Sequence, residues 1–243
     1  MAGVPDDPGL DPWYIDARSI RRTRLIGEGF FGKVYDGILH GARDVALKYL
    51  TNNHAYIEEL IKEAELIRNC DHPNILKTIG ICTSLRVIVT EKMANGNLKL
   101  FLISNSLSPE ECLSVAQKIA SGMIYLGQMG IVHRDLAARN VLVGGSIDTI
   151  KIADFGLSRS LEDQGCYTTL KDVFPVEWTA PEGFTVPCTI TSAADVWSYG
   201  VLLWELYSNG DDPYSEIVVI RHDLYRRLTE DNYRLKCPPK CPT

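Results

Sequence analysis

The sequence predicts an α+β fold of two lobes: a small antiparallel β-sheet lobe with one helix, then a larger, mainly helical lobe. Three observations carry this. Before about residue 93, short segments alternate apolar and polar residues with the period of a strand. One amphipathic stretch of helical spacing interrupts them. Beyond about residue 95 the helical spacing takes over. With 243 residues, 45% of them hydrophobic and 23% charged, the chain can bury two cores and has an ordinary globular composition.

Residues 1–12 are rich in Pro, Asp and Gly and read as a flexible leader. The whole of 1–19 is taken as leader and linker. The domain runs from 20 to 243, with its first lobe at about 20–92 and its second at about 93–243. Arg22 to Ile26 and Lys33 to Leu39 are strands on either side of a glycine-rich turn. Asp44 to Leu50 alternates, with Val45, Leu47 and Tyr49 on one face and Ala46 and Lys48 on the other. Arg86 to Thr90 adds a further strand. Between them, Ile57, Leu60, Ile61, Ala64 and Ile67 mark the buried stripe of a helix. Glu63 lies on that same side, where a carboxylate is costly unless a cation meets it. Lys48 is the inward lysine of its strand, so a Lys48–Glu63 ion pair is expected; the bland alternative is a solvated edge glutamate.

In the second lobe, Ser108-Pro109-Glu110-Glu111 has the form of a capping box with proline at the first helical position. Cys112, Val115, Ala116, Ile119 and Met123 follow as its buried face. Ser192-Ala193-Ala194-Asp195 opens another helix. From Val196 to Tyr207 it is apolar nearly all round, which predicts burial on every side. Asn209-Gly210 stops it.

Several function classes are disfavoured. No apolar run reaches the length of a bilayer span, and no charged-then-apolar signal opens the chain. The net charge of -6 gives no support to binding nucleic acid or anionic membranes. The seven cysteines are odd in number and scattered, which argues against a disulfide framework and for a reducing, cytoplasmic setting. Cys237 and Cys241 have no second ligand pair and read as ordinary thiols.

The chemistry-bearing residues fall in a few short stretches. Gly27-Glu28-Gly29-Phe30-Phe31-Gly32-Lys33-Val34 sets three glycines between strands, where bare backbone can approach phosphate oxygens. Alone, this pattern also fits a hairpin turn or a dinucleotide-binding turn. The latter should lead into a helix, and Val34-Tyr35 leads into a strand. Val45-Ala46-Leu47-Lys48 then supplies a strand lysine. His133-Arg134-Asp135-Leu136-Ala137-Ala138-Arg139-Asn140 holds a carboxylate able to take a hydroxyl proton, and Asp154-Phe155-Gly156 follows nineteen residues after Asp135. Asn140 and Asp154 offer the hard oxygens that magnesium prefers. Asp and Asn also favour turns, but all of these at matching spacing is not a chance arrangement.

From about Trp13 to Pro242 the chain resembles the catalytic domain of protein tyrosine kinases, and the α+β fold is then the two-lobed protein kinase fold. The resemblance implies ATP-dependent phosphoryl transfer to protein tyrosine hydroxyls, with ATP and Mg2+ (or Mn2+ in its place) as cofactors. It implies Asp135 as base, Arg139 beside the transferring phosphate, and Lys48 paired with Glu63 on the α- and β-phosphates. Asn140 and Asp154 become metal ligands. Gly27, Gly29 and Gly32 cover the phosphates. Val34, Ala46 and Leu142 sandwich the adenine, Thr90 is the gatekeeper, and Glu91, Lys92 and Met93 form the hinge. Ile67, His133 and Phe155 resemble members of the hydrophobic spine, in which Thr78 replaces a larger apolar side chain.

Ala137-Ala138-Arg139 resembles tyrosine kinases, since serine/threonine kinases carry a lysine two residues after the aspartate. Phe174 to Glu182, including Trp178, resembles the tyrosine-kinase substrate platform. Trp13-Tyr14-Ile15 resembles the lead-in of Src-, Abl- and Fes-like cytoplasmic kinases, which favours a non-receptor type. Phosphotyrosine- or proline-binding domains upstream in a parent protein would follow from that lineage. Tyr167 resembles an activation-loop phosphorylation site, with Arg134 and Arg159 as receivers of the added charge. Two departures stand out. Glu177 occupies a position that is usually basic. After Cys237-Pro238-Pro239-Lys240-Cys241-Pro242 the family continues through two more helices, one carrying an arginine that pairs with the glutamate at the Glu182 position. The chain is therefore expected to be C-terminally truncated, with Glu182 left unpaired. A catalytically impaired, kinase-like scaffold is the alternative reading.

Overall fold

The computed structural model describes residues 11–29, 32–50, 56–161, 167–169, 175–185, 188–217 and 221–242. The chain divides into two compact units, Met1–Asp71 with Leu76–Met93, and His72–Ile75 with Ala94–Thr243.

The first unit contains β1 (Ile20–Gly29), β2 (Gly32–Leu39), β3 (Arg43–Leu50), α1 (Tyr56–Ile67), β4 (Thr78–Cys82) and β5 (Val87–Glu91). Its five strands form one antiparallel sheet in the order β1-β2-β3-β5-β4. Strand β4 was not anticipated from the sequence. The register sets Lys48 opposite Val34 and Ile88, and Ala46 opposite Asp36 and Thr90. Directly paired residues share a face, so Val34, Asp36, Ala46, Lys48, Ile88 and Thr90 lie together. Val45 and Leu47 point to the other face and pack with Ile15, Leu39, Cys82, Val87 and Val89. Helix α1 covers the Lys48 face, where Ala64 joins Ile81, Ile88 and Trp13. The side chains of Ile57 and Leu60 lie outside the described residues.

The segment read as the end of a linker belongs to this core. Trp13 and Ile15 are buried, and Tyr14 bridges Ile81. Ile81 N–H donates to the Trp13 carbonyl at 2.9 Å, and Ile15 N–H donates to the Ile81 carbonyl at 2.7 Å. Gly80 makes this approach possible. A Cβ there would lie 2.4 Å from the Trp13 carbonyl oxygen and 3.0 Å from Ile15 Cδ1.

The second unit contains α2 (Leu98–Ser104), α3 (Pro109–Gln128), β6 (Ile131–Val132), β7 (Val141–Val143), β8 (Ile150–Ile152), β9 (Arg159–Ser160), β10 (Tyr167–Thr169), β11 (Cys188–Ile190), α4 (Ser192–Tyr207) and α5 (Arg221–Thr229). The short strands pair as β6 with β9, β7 with β8 and β10 with β11. Helix α3 starts with the expected capping box: Ser108 Oγ accepts from Glu111 N–H at 3.2 Å, and Glu111 Oε2 accepts from Ser108 N–H at 2.8 Å. Its Cys112, Val115, Ala116 and Ile119 are buried as expected, whereas Met123 is only half-buried. Helix α4 ends where Asn209 and Gly210 adopt left-handed backbone at φ 61° and 83°.

Burial on every side of α4 does not hold. Val196 is 70% exposed. Asp195, Ser198, Val201, Leu202 and Glu205 share one side at helical spacing and are buried, and Val196 falls on the opposite side. The apolar sequence thus conceals a buried stripe with three polar residues.

Gly80→Ala is expected to lower the unfolding free energy by about 1–3 kcal/mol, because a backbone oxygen cannot yield to the new methyl. Urea unfolding measures this; an unchanged midpoint contradicts it.

Candidate functional site

In the first unit, Lys48 and Glu63 meet. Lys48 Nζ donates to Glu63 Oε1 at 2.6 Å, with the side chains 16% and 9% exposed. The alternation of β3 turns Lys48 toward α1, and the helical stripe turns Glu63 toward the sheet. A pair this enclosed fixes the lysine in position. The residues read as adenine contacts, Val34, Ala46 and Thr90, occupy the same sheet face. Along the glycine turn Gly27 pairs with Val34 and Gly29 with Gly32, and Lys33 Nζ lies 3.1 Å from Glu28 Oε1. Phe30 and Phe31 lie outside the described residues. Glu91 is tied to Lys77: its N–H donates to the Lys77 carbonyl at 3.0 Å and its carboxylate accepts from Lys77 N–H at 2.7 Å. Lys92 Nζ lies 3.0 Å from Asp36 Oδ1, which ties the residue after β5 to β2. Met93 closes this unit. Thr78 is buried, and its Oγ1 has no hydrogen-bond partner among the described residues.

In the second unit, the loop after β6 carries Asp135. Arg134 within it adopts φ 68°, a left-handed conformation costly for a side chain of this size. Asp195 of α4 holds the loop in this shape. Its Oδ2 accepts from His133 N–H at 2.7 Å and its Oδ1 accepts from Arg134 N–H at 2.9 Å. The His133 ring is fixed at both nitrogens. Nε2 donates to the Ala153 carbonyl at 3.0 Å and Nδ1 accepts from Asp135 N–H at 3.2 Å, which sets the tautomer. The ring also packs on Phe155, with centroids 5.1 Å apart. Ser158 Oγ donates to the His133 carbonyl at 3.0 Å, and Arg134 Nη1 donates to the Leu157 carbonyl at 3.2 Å.

The Asp135 carboxylate forms an ion pair with Arg139, and Asn140 Nδ2 donates to the Asp135 carbonyl at 2.7 Å. Burial raises the Asp135 carboxyl above the ordinary aspartate value; Arg139, His133 and Asn140 oppose this, and the charge of Asp154 adds to it. Asp154 follows β8 with φ 63° and is kept near Asn140 by the bond from Ala153 N–H to the Asn140 carbonyl, 2.8 Å. With the Asn140 amide nitrogen engaged, its oxygen is the end left for a cation. An aspartate and an amide oxygen are hard donors that fit magnesium. Among the described residues no group of three His, Cys, Asp or Glu side chains could hold a metal, so further ligands must come from elsewhere.

The structure thus brings Asp135, Arg139, Asn140 and Asp154 together in one unit, and Lys48 with Glu63 in the other. Leu142 sits half-buried on β7, bridged to Asn97. Arg159 pairs with Val132 across β6 and β9. The Tyr167 backbone pairs with Ile190, while its side chain lies outside the described residues. Glu182 was expected to lack a partner; it is exposed but does interact.

Two anchoring carboxylates escaped the sequence reading. Asp195 had been read only as part of a helix start. Glu205, fully buried, accepts from Ala138 N–H at 2.9 Å and from the Trp178 indole N–H at 2.9 Å. The signal was present: an acidic residue inside an apolar helix must find donors.

The family model for "Protein tyrosine and serine/threonine kinase" matches residues 20–243, and the chain belongs to that family. Ephrin type-A receptor 5 of Gallus gallus is 41% identical over 240 residues, which cover 94% of this chain and 23% of that protein. Tyrosine protein-kinase src-1 of Caenorhabditis elegans is 38% identical over 241 residues, covering 95% and 44%. Tyrosine-protein kinase Abl of Drosophila melanogaster is 38% identical over 244 residues, covering 98% and 15%. The chain therefore spans less than half the length of these relatives. The family uses ATP and Mg2+. Among the described residues no helix is long and apolar enough to cross a membrane.

Asp195→Ala removes the acceptor from two buried amides. It is expected to cost about 1–3 kcal/mol for each one orphaned, read as a lower midpoint in urea. An unmoved midpoint contradicts the anchoring role.

Proposed function

We propose that this chain transfers the γ-phosphoryl group of ATP to tyrosine hydroxyls of protein substrates. The observation that carries the reading is the buried Asp135 carboxylate, ion-paired with Arg139 and set beside Asn140 in one clamped loop. The likeness to the src-1 and Abl tyrosine kinases supports it.

The chemistry follows from the groups present. The acceptor oxygen forms a bond to the γ-phosphorus, the bond to the β–γ bridging oxygen breaks, and the hydroxyl proton passes to Asp135. Arg139 offers positive charge where the transferring phosphoryl oxygens carry negative charge, and Lys48, held by Glu63, does so for the α- and β-phosphates. Asn140 and Asp154 would hold magnesium, which supplies charge neutralisation when bound. Val34, Ala46 and Leu142 would line the adenine, with Thr90, Glu91 and Met93 at the hinge and Gly27, Gly29 and Gly32 over the phosphates. The domain limits of 20–243 stay part of this reading. The non-receptor type rests on the Trp13-Tyr14-Ile15 lead-in and the cytoplasmic location on that and the scattered cysteines, while an ephrin receptor matches at comparable identity.

Phosphate transfer from ATP with magnesium to a poly-Glu/Tyr substrate is the test. Asp135→Asn should lower the rate by about 100- to 10,000-fold, the usual range for a general base. Because burial raises the Asp135 pKa, the base form is lost as pH falls through a value above the ordinary aspartate range. The acid limb of kcat/KM should therefore lie above pH ~4. Equal rates for the wild type and Asp135→Asn would refute the enzyme reading and leave the scaffold.

Regulation is assigned to Tyr167. Phosphorylation there adds about two negative charges, which Arg134 and Arg159 are suited to receive. Tyr167→Phe should abolish the rise in rate after preincubation with ATP; an undiminished rise rejects the assignment.

A further inference from the structure

The polar stripe of α4 does more than anchor the loop. Ser198 Oγ donates to the Trp178 carbonyl at 2.8 Å, and Glu205 takes the Trp178 indole N–H and the Ala138 N–H on the same oxygen, Oε2. The other oxygen, Oε1, is buried with no hydrogen-bond partner among the described residues. Trp178 is buried against Ala137 and Val201. Its ring is the surface on which Arg139 lies, with the guanidinium carbon 4.1 Å from the ring centroid. Arg139 in turn pairs with Asp135. A continuous chain of contacts therefore runs from the middle of α4 to the proposed base.

We propose that Glu205 is a positioning residue for phosphoryl transfer: by holding the Trp178 ring and the Ala138 backbone it fixes Arg139 against Asp135. This rests on the kinase reading above. The physical argument is one of freedom removed. A guanidinium stacked on an aromatic face keeps its N–H groups free to point in the ring plane. That plane is set only if the indole cannot rotate. A buried carboxylate accepting from the indole N–H and from the residue before Arg139 fixes ring and backbone together. The groups facing Glu205 are Ala138 N–H, Trp178, Arg139 and Lys99; those facing Asp135 are Arg139, His133, Asn140 and Asp154. Of the Asp135 set, Arg139 is the member whose place depends on Glu205 and Trp178.

Kinetics and 19F NMR on the 243-residue chain test this. Glu205→Gln keeps a carbonyl oxygen for both donors and should retain most activity. Glu205→Ala should lower kcat about 10- to 100-fold, the scale expected when a reacting group is misplaced, with KM for ATP changed less than about twofold. A fall in kcat matched by an equal change in KM, or equally large for Glu205→Gln, would mean a merely structural role and overturn the proposal. Should Glu205→Ala not fold, Trp178→Phe keeps a ring but no N–H and should show the same fall in kcat at little-changed KM; an unchanged kcat there is equally damaging. Fluorotryptophan NMR reads the contact without any activity. Arg139→Ala should move the Trp178 resonance in the wild type and not in the Glu205→Ala background. Equal movement in both overturns the proposal. A wild type that transfers no phosphate would refute the kinase reading instead, and the NMR result would still decide whether Glu205 places Arg139.

Discussion

The turn at His133 and Arg134, which leads into Asp135, is held by a buried carboxylate. Asp195 spends both oxygens on the amides of His133 and Arg134, and those bonds hold a loop whose backbone is strained at Arg134. Burial raises its pKa, and the two amides with the nearby positive charge of Arg134 oppose that shift. Once the loop is held, the rest is short-range. The His133 ring receives Asp135 N–H, the Asp135 carbonyl receives the Asn140 amide, and the Asn140 carbonyl receives the amide just before Asp154. Each group implicated in chemistry is thus placed by the bond of the one before it. The strain is sustained because this network over-determines the loop.

The first unit solves a simpler problem by alternation. One strand, β3, sends Val45 and Leu47 into an apolar core and Ala46 and Lys48 to the other face. The same two-residue period that buries the core therefore sets the lysine against α1. Glu63 arrives there because the apolar stripe of α1 must face the sheet. The ion pair is a consequence of packing that both elements require anyway, which is why it could be anticipated without coordinates. Lys92 and Asp36 add a second tie, between the end of β5 and β2.

What the sequence disclosed follows that division. The four expected strands correspond to β1, β2, β3 and β5, with alternation marking β3; the capping box revealed the start of α3, and the Asn-Gly pair revealed the end of α4. The residues of the loop after β6 were identifiable by type and spacing. Less legible was whatever depends on partners far along the chain. Strand β4 was missed because Thr78–Cys82 contains a glycine whose purpose is to admit the Trp13 backbone. Trp13 and Ile15 were assigned to a linker because a lone apolar pair after a proline-rich start has no period of its own. Asp195 and Glu205 lie 61 to 67 residues from the amides they accept; an acid inside an apolar helix signals a need for donors, but nothing local says which. Val196 was misjudged for the converse reason: an apolar residue in an apolar helix gives no sign of which side faces out.

The central claim is that α4 holds the loop carrying Asp135 through its buried acidic side chains. Amide hydrogen exchange at His133 and Arg134 measures it directly. The account predicts exchange as slow as that of the buried turns of α3, since both N–H groups open only when the unit opens. Exchange at the pace of the exposed Ser146–Asp148 turn would contradict it.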